Sequence, residues 1–367
     1  MLLIEEGQQS HLPKKYRPVN NLCAVIYDQF TSILTEKHFL EHITVEISID
    51  AAQHQFVEDL KNGSMHALDF MKENGQHIEL AEILTKHITL SVLSDFTNFM
   101  YESLSCAQRG KMTVAYALLR KPLTDELVIF ERLLTDPAEF IQLYFHVGNP
   151  KGYDPSEPNL NRQQIIQEVF RMANPAPLFV PDLVYGLRYD KHNPAGINGI
   201  SNQALHIVTN HPAYRTEDAE LNFVFSNYHD YRRYWRHYYY FVPYLLIYAA
   251  HVVDELVFSW MPGYEHLKAV RAFQRFVATL FWSKWTQGKS KKINSSHKLL
   301  LDVIAQSLSG TCDQCGKEQI VDEADLLLFF NEQVLLCPHC HCDHLASEST
   351  VERIMDLVNI LHGRAEA

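Results

Sequence analysis

The chain has 367 residues, of which 47% are hydrophobic and 21% are charged, and its formal net charge at pH 7 is -12. This composition is that of an ordinary globular protein and excludes a disordered or low-complexity chain. The negative net charge argues against a general nucleic-acid coat, although a local basic groove remains compatible with it.

The N-terminal part of the sequence predicts helices. Residues 1–20 are polar and predict an extended arm. Apolar residues recur at helical spacing from about Asn21 to Glu41, and a long amphipathic helix is predicted from about His77 to Ala107. Glycine and proline cluster at 148–158 and predict a linker or long loop. We therefore expect a helical N-terminal domain over residues 1–150.

The second half also predicts helices, with one interruption. Residues 186–230 are polar and show little periodicity, which predicts a long loop, with a short strand at Asn222–Phe225. Helical patterns resume at about Tyr228–Trp260 and continue to the C-terminus, except over residues 311–345. We expect a second helical domain over 159–310 and a final helix within 346–367.

One apolar run could be mistaken for a membrane span. It covers about 16 residues, Tyr238–Val253, and is followed at once by Asp254 and Glu255. A span needs roughly 20 apolar residues, so we predict a buried core helix and no membrane partner. The early acidic residues argue against a signal peptide, and the clustered cysteines indicate a reducing compartment, so we expect a cytoplasmic protein.

Two cysteine pairs form the strongest motif. Cys312 and Cys315 make one C-x-x-C pair, Cys337 and Cys340 make the other, and 21 residues separate them. Two such pairs can present four thiolates to one ion, so they predict a structural Zn²⁺ site with a closed coordination sphere. Between the pairs we expect a hairpin with short strands at Ile320–Val321 and Val334–Leu336. The alternative is four unligated cysteines.

The segment around these pairs resembles the zinc ribbons and treble-clef knuckles of many proteins. The resemblance covers about 35 residues, taken here as 311–345, and implies a module that binds nucleic acid, binds protein or stabilises a fold. Four neighbours of the second pair could replace a thiolate or hydrogen-bond one: His339, His341, Cys342 and His344. The predicted fold class is therefore mainly α, a multi-helix bundle with a small zinc-ribbon insert near the C-terminus.

A basic stretch precedes this segment. Between His266 and Leu300 the sequence has no Asp or Glu, and it carries Trp282 and Trp285 among many cations. Cations neutralise phosphates and aromatic rings stack on bases, so the stretch predicts contact with RNA. The phosphate-binding candidates in it are Lys284, Lys289, Lys291 and Lys292. The alternative is a solvated surface whose charge balances acidic groups elsewhere in the fold.

Arg232 and His237 stand in an R-x4-H arrangement. It resembles the signature of the HEPN superfamily, compact helical bundles that include many bacterial toxin and phage-defence ribonucleases. The resemblance implies that Arg232 stabilises negative charge on the scissile phosphate and that His237 transfers a proton during attack by the ribose 2′-hydroxyl. It also implies a site at a dimer interface, and hence a homo-oligomer.

The residues around this pair have two interpretations. Arg233 and Arg236 would hold phosphates beside the catalytic pair, and the aromatic run 238–241 could form the dimer interface. Alternatively, the arginines are a surface stripe at a helix start, His237 is half-buried, and the rings belong to the core.

Polar residues also recur inside the amphipathic helices. Asp95, Asn98 and Glu102 share one helix face, and Arg120 and Glu131 follow on the next helices. No Glu-x-x-His pair occurs on these helices, which argues against a carboxylate-bridged two-metal bundle. We predict an ion-pair network between packed helices.

Two functional hypotheses follow from the sequence. The first is a HEPN-like, metal-independent endoribonuclease of bacterial defence or toxin type, stabilised by a structural zinc. The second is a non-enzymatic, zinc-containing helical module that binds nucleic acid or a protein partner. The positions of Arg232 and His237 distinguish the two, because a catalytic pair must converge on one exposed point.

Overall fold

The protein is described by a computed structural model that is predominantly helical, which confirms the predicted fold class. The structure describes residues 2–45, 58–59, 61–174, 179–205, 208, 215–216, 228–286 and 291–361, without the side chains of 202–203, 228–231, 291–297 and 346.

The first half is built from helices of very different length. After a 3₁₀ turn at Lys14–Tyr16, the α-helices are α1 Arg17–Thr35, α2 Lys37–Leu40, α3 Ala67–Glu73, α4 His77–Gln108, α5 Met112–Arg120, α6 Leu127–Thr135, α7 Pro137–Ile141 and α8 Pro150–Tyr153. Wider π-type turns at Lys121–Glu126 and Gln142–Val147 continue α5 and α7. Pro122, the second residue of the first π turn, lies inside this continuous helical segment.

The second half is also helical, apart from one small sheet. Its elements are α9 Arg162–Ala173, α10 Pro181–Arg188, α11 Ile197–Leu205, α12 Tyr228–Phe258, α13 Glu265–Thr286, α14 Lys291–Leu308, β1 Gly310–Thr311, β2 Glu318–Gln319, α15 Glu323–Glu332, a 3₁₀ turn His344–Ala346 and α16 Glu348–Leu361. Helix α11 lies within the segment predicted as a loop. The predicted strand Asn222–Phe225 falls outside the described residues.

Helix α12 is the centre of the bundle, packed against α1, α6 and α13. It is long and apolar enough to cross a membrane, yet 94% of its most apolar window is buried inside the protein, as in a core helix. Three of the rings at 238–241 are buried (Tyr238, Tyr239 and Phe241), whereas Tyr240 is 46% exposed. The rings therefore serve the core, and the predicted homo-oligomer gains no support from them.

The buried apolar side chains form one continuous cluster. It includes Leu2 from the N-terminal arm, Leu104 from α4, Leu245 from α12 and Ile354 from α16. Each predicted helical unit contributes to it, so the helices share one hydrophobic core. The predicted domain boundaries are not marked by a break in this cluster.

Buried ion pairs join helices that are far apart in sequence. Arg188 of α10 and Glu131 of α6 form a pair with no exposed side-chain surface, and Tyr248 donates a hydrogen bond to Glu131 at 2.8 Å. Asp254 of α12 accepts hydrogen bonds from both Arg271 and Arg275 of α13. Of the residues in the predicted network, Glu131 lies in a buried ion pair, but its partner is Arg188 and not one of the predicted residues. Asp95 pairs instead with Lys121 at the surface.

Candidate metal centre and basic surface

The first cysteine pair lies in the turn between β1 and β2. The backbone N–H of Cys312 donates to the Lys317 carbonyl at 2.9 Å, and that of Gly316 donates to the Cys312 carbonyl at 2.8 Å. Gly316 has a φ of 69°, which glycine adopts without a Cβ clash. The turn therefore aims the sulfurs of Cys312 and Cys315 to the same side.

The second pair repeats this geometry. The N–H of Cys337 donates to the Cys342 carbonyl at 2.9 Å, and the N–H of His341 donates to the Cys337 carbonyl at 2.9 Å. His341 takes the left-handed position, with a φ of 60°. This turn reverses the chain, and Leu336 and Asp343 form a single antiparallel bridge.

The two turns bring the four predicted cysteines into one cluster. Their sulfurs all lie within 4.8 Å of one another. The Cys312–Cys340 and Cys315–Cys337 sulfur separations are 3.7 and 3.8 Å. A tetrahedral Zn–S bond of about 2.3 Å gives sulfur separations of about 3.8 Å, so the cluster has the size of a tetrathiolate metal site. The cysteine cluster can therefore bind a metal ion.

Two further residues join the cluster. Cys342 lies 3.4 Å from Cys312 and 3.3 Å from Cys340, sulfur to sulfur. Together with Cys312, Cys337 and His344 it forms a second group of donors within 4.8 Å of one another. His344 is 4% exposed, and its Nε2 has no hydrogen-bond partner among the described residues.

The other two histidines named from the sequence stay outside. His339 and His341 have exposed side chains and belong to neither donor group. The crowded sequence around the second pair signalled that extra donors were present. The sequence could not show which of these donors point into the cluster. Their direction depends on His341, the left-handed residue after Cys340.

Two of the thiols ionise more easily than a free cysteine. Backbone N–H groups of Cys315 and Gln314 donate to the Cys312 sulfur and, against the opposing effect of burial, lower its pKa to about 6. Burial raises the pKa of Cys337, but the N–H groups of His339 and Cys340 outweigh it and leave that pKa at about 7. Because the thiolate is the form that binds metal, both residues are prepared for coordination at neutral pH.

The connection between the two turns is a helix and not the expected hairpin. Helix α15 occupies nearly half of it. The strand residues pair as Gly310 with Gln319 and Thr311 with Glu318, before the predicted strands. Two rings of α15 pack on α13. Phe329 contacts Phe273 with ring centroids 5.2 Å apart, and Phe330 contacts Phe281 with ring centroids 6.4 Å apart. The cluster is thus attached to the bundle through α15.

Much of the acid-free basic stretch is neutralised by acidic residues from elsewhere. Lys284 pairs with Glu323 of α15, and Lys268 pairs with Glu255 at 2.8 Å. Arg271 and Arg275 are buried against Asp254. For these cations the charge-balancing alternative is the observed one. Lys289 lies outside the described residues, as do the side chains of Lys291 and Lys292.

An exposed cationic surface lies at the start of α12. Arg232, Arg233 and Arg236 have exposed side chains, and we call them the arginine face. The Tyr16 hydroxyl donates to the Arg232 carbonyl at 3.4 Å, and the Lys15 ammonium lies 4.7 Å from the Tyr16 ring centroid. The turn at Lys14–Tyr16 therefore adds two exposed lysines beside this face.

The 3₁₀ turn at Lys14–Tyr16 also borders a groove. It has a volume of about 1200 Å³ and is lined by the N-terminal arm, Lys14, Arg17 and the half-buried Trp285. Trp285 stacks on Phe281, with ring centroids 5.3 Å apart. Glu5 and Glu6 line the groove as well. We call this feature the Trp285 groove.

His237 is half-buried and hydrogen-bonded to groups outside α12. Nδ1 of His237 lies 2.9 Å from the Tyr116 hydroxyl, and Nε2 lies 3.0 Å from the Ala195 carbonyl. A carbonyl only accepts, so Nε2 carries a proton. Burial lowers the pKa of His237 to about 4, although the bond to Ala195 opposes this shift. The ring is therefore neutral at pH 7 with both nitrogens engaged, whereas the Arg232 side chain is exposed.

Comparisons with protein-family models, with curated proteins and with solved structures find no match for this chain. The two cysteine turns and the exposed cations therefore have to be interpreted from their own geometry.

Proposed function

We propose that this protein binds single-stranded RNA along the Trp285 groove and the arginine face, and that zinc in the cysteine cluster stabilises the C-terminal segment. The observation that carries the binding proposal is the half-buried Trp285 in a groove that is also lined by the exposed Lys14 and the half-buried Arg17. An aromatic platform beside a cationic track suits single strands, because bases stack on the ring while phosphates meet the cations.

The cations are arranged to follow one strand. Lys14 lines the groove, Lys15 follows it on the same turn, and Tyr16 connects that turn to Arg232. Glu5 and Glu6 border the groove and repel phosphates, so we expect the strand to run on the Lys14 side. The net charge of -12 favours a local, salt-sensitive contact over general coating of nucleic acid.

The test is binding of a fluorescent single-stranded RNA, followed by anisotropy at several salt concentrations. Trp285→Ala should weaken binding by about 1–3 kcal/mol, the usual contribution of one stacked base. Arg233→Gln with Arg236→Gln should reduce the slope of log K against log salt by about 0.7 for each phosphate that is no longer neutralised.

Lys37→Gln is the matched control for this experiment. Lys37 is an exposed cation that pairs with Glu41, and its neighbour Phe39 packs on Phe258 at the opposite end of α12. Affinity and salt slope should not change in this variant. Equal losses in all three proteins, or no loss in any, would contradict the proposed surface.

The HEPN-like ribonuclease hypothesis adds cleavage to the same surface, with Arg232 and His237 as its catalytic pair. For His237 to move a proton to or from RNA, the ring must first leave Tyr116 and Ala195. His237→Ala should then abolish cleavage of RNA in the presence of a chelator and leave RNA binding intact. Binding without cleavage by the unaltered protein would remove the enzyme hypothesis and keep the binding proposal.

Zinc is the metal that the donor set favours, since thiolates and imidazole in a tetrahedral arrangement select it. Elemental analysis of the purified protein should find zinc, and Cys337→Ser should lower both zinc content and thermal stability. Cys23→Ala, at a buried cysteine in α1 far from the cluster in sequence, should keep the metal. A metal-free chain with unchanged stability would contradict this assignment.

A further inference from the structure

The metal centre contains more donors than one tetrahedral ion can use. Two groups of four overlap: one comprises Cys312, Cys315, Cys337 and Cys340, and the other comprises Cys312, Cys337, Cys342 and His344. They share Cys312 and Cys337, which are the two buried cysteines of the cluster. The six donors thus consist of a shared central pair and two outer pairs.

A single ion would leave one outer pair without a partner. If it takes the four C-x-x-C thiolates, His344 keeps a buried Nε2 with no hydrogen-bond partner among the described residues. Such a group costs about 1–3 kcal/mol. If it takes the other group, Cys315 and Cys340 are left over, although their turns aim both sulfurs at the cluster.

We propose that the centre holds two zinc ions bridged by the thiolates of Cys312 and Cys337. Cys315 and Cys340 complete the tetrahedron of the first ion, and Cys342 and His344 complete that of the second. Two four-coordinate ions need eight bonds, and two bridging thiolates with four terminal donors supply that number. This proposal rests on the zinc centre proposed above.

Charge and access both favour the second ion. Four thiolates around one Zn²⁺ leave a local charge of about -2, and a second ion that also takes the Cys342 thiolate reduces it to about -1. Cys340 and Cys342 have sulfurs only 3.3 Å apart, a contact that repels strongly once both are ionised. A cavity of about 640 Å³, lined by these two residues with His344 and Asp313, gives the second ion a route from solvent.

The test is the zinc stoichiometry of the full chain, measured by native mass spectrometry on protein expressed with zinc. The unaltered protein should carry two zinc ions. Cys342→Ser and His344→Asn should each carry one, because they remove donors of the second ion only. Cys106→Ala, at a buried cysteine of α4, is the matched control and should keep two.

Cobalt titration of the metal-free protein gives an independent readout that requires no variant. The thiolate-to-metal absorption should saturate at two equivalents, and Cys342→Ser should saturate at one. One zinc in the unaltered protein would overturn the two-ion centre and leave the zinc proposal standing. No zinc at all would overturn both, so the two failures are distinguishable.

Discussion

Glu131 forms a buried ion pair with Arg188 in the middle of the helical core. It accepts two hydrogen bonds from Arg188 and one from Tyr248, while Arg188 also donates to the Leu123 carbonyl at 2.7 Å. The pair therefore ties α6, α10 and α12 together and has no contact with water. A buried ion pair of this kind is tolerated because each of its charged atoms has a hydrogen-bond partner.

Removing the carboxylate of Glu131 should lower the free energy of unfolding. Glu131→Gln leaves the Arg188 guanidinium buried without its counter-charge, and we expect a loss of about 3–5 kcal/mol of unfolding free energy, measured by urea denaturation. Glu168→Gln is the control, because Glu168 pairs with Arg171 on an exposed helix face, and its denaturation midpoint should stay unchanged. Equal midpoints for the two variants would contradict the structural role of Glu131.

His237 should make the protein sensitive to acid. Its pKa is about 4 in the folded state, against about 6.5 for an unfolded histidine, so the unfolded chain binds more protons between these values. Stability is therefore lost as pH falls from 6.5 towards 4. Between pH 7 and 5 we expect a loss of roughly 2 kcal/mol from this residue. His237→Gln, measured by denaturation over the same pH range, should lose that much less.

At the scale of elements, α15 decides how the metal centre meets the bundle. It begins with a capping box, in which the Asp322 carboxylate accepts from the N–H of Ala324 at 2.7 Å and of Asp325 at 3.1 Å, and the Asp325 carboxylate accepts from the N–H of Asp322 in return. Because the helix carries Phe329 and Phe330 onto α13, its start affects the whole C-terminal segment.

Removing the cap should therefore have a measurable cost. Asp322→Ala deprives two N–H groups of their acceptor, and we expect thermal unfolding to show a loss of about 1 kcal/mol. Glu332→Ala changes an exposed residue at the other end of the same helix, and should alter stability by less than about 0.5 kcal/mol. If Asp322→Ala left the stability unchanged, α15 would contribute little to the folding of the C-terminal segment.

Helix α12 combines two surfaces in one element. Its first turns carry the exposed arginine face, and from Tyr238 onward nearly all its side chains are buried. The sequence predicted a core helix from the short apolar run and the acidic residues after it. The whole helix is long enough to span a membrane, and it is the burial of 94% of its most apolar window that identifies a core helix. The surroundings of His237 in the R-x4-H pair could not be predicted from the sequence. Both of its hydrogen-bond partners come from segments outside α12.

At the scale of the molecule, the metal centre closes the C-terminal segment onto the bundle. The first cysteine turn follows α14 and the second precedes α16, and Arg353 of α16 donates to the Ser309 carbonyl at 2.9 Å. A metal bound in the cluster would connect these two turns, which lie on either side of α15. The core around α12 is built from helices that carry no donor of the cysteine cluster, and the C-terminal segment adds Phe329, Phe330 and Ile354 to the same core.

Chelation should consequently loosen the segment and spare the bundle. A strong zinc chelator should lower the thermal midpoint, since metal bound to the folded state alone stabilises it by mass action. Circular dichroism should retain most of the helical signal, while limited proteolysis should cut within 309–347. Complete loss of helix on chelation would show that the bundle cannot fold without the metal.

The sequence by itself determined the features that depend on short spacing. Two C-x-x-C pairs present thiolates locally whatever surrounds them, and helical periodicity with a buried apolar run predicts a mainly α fold. Only the tertiary structure decided which groups meet. Lys284 meets Glu323, Arg188 meets Glu131, and Cys342 and His344 turn into the metal centre. Such partners lie many residues apart or beyond a left-handed turn, so packing and not spacing brings them together.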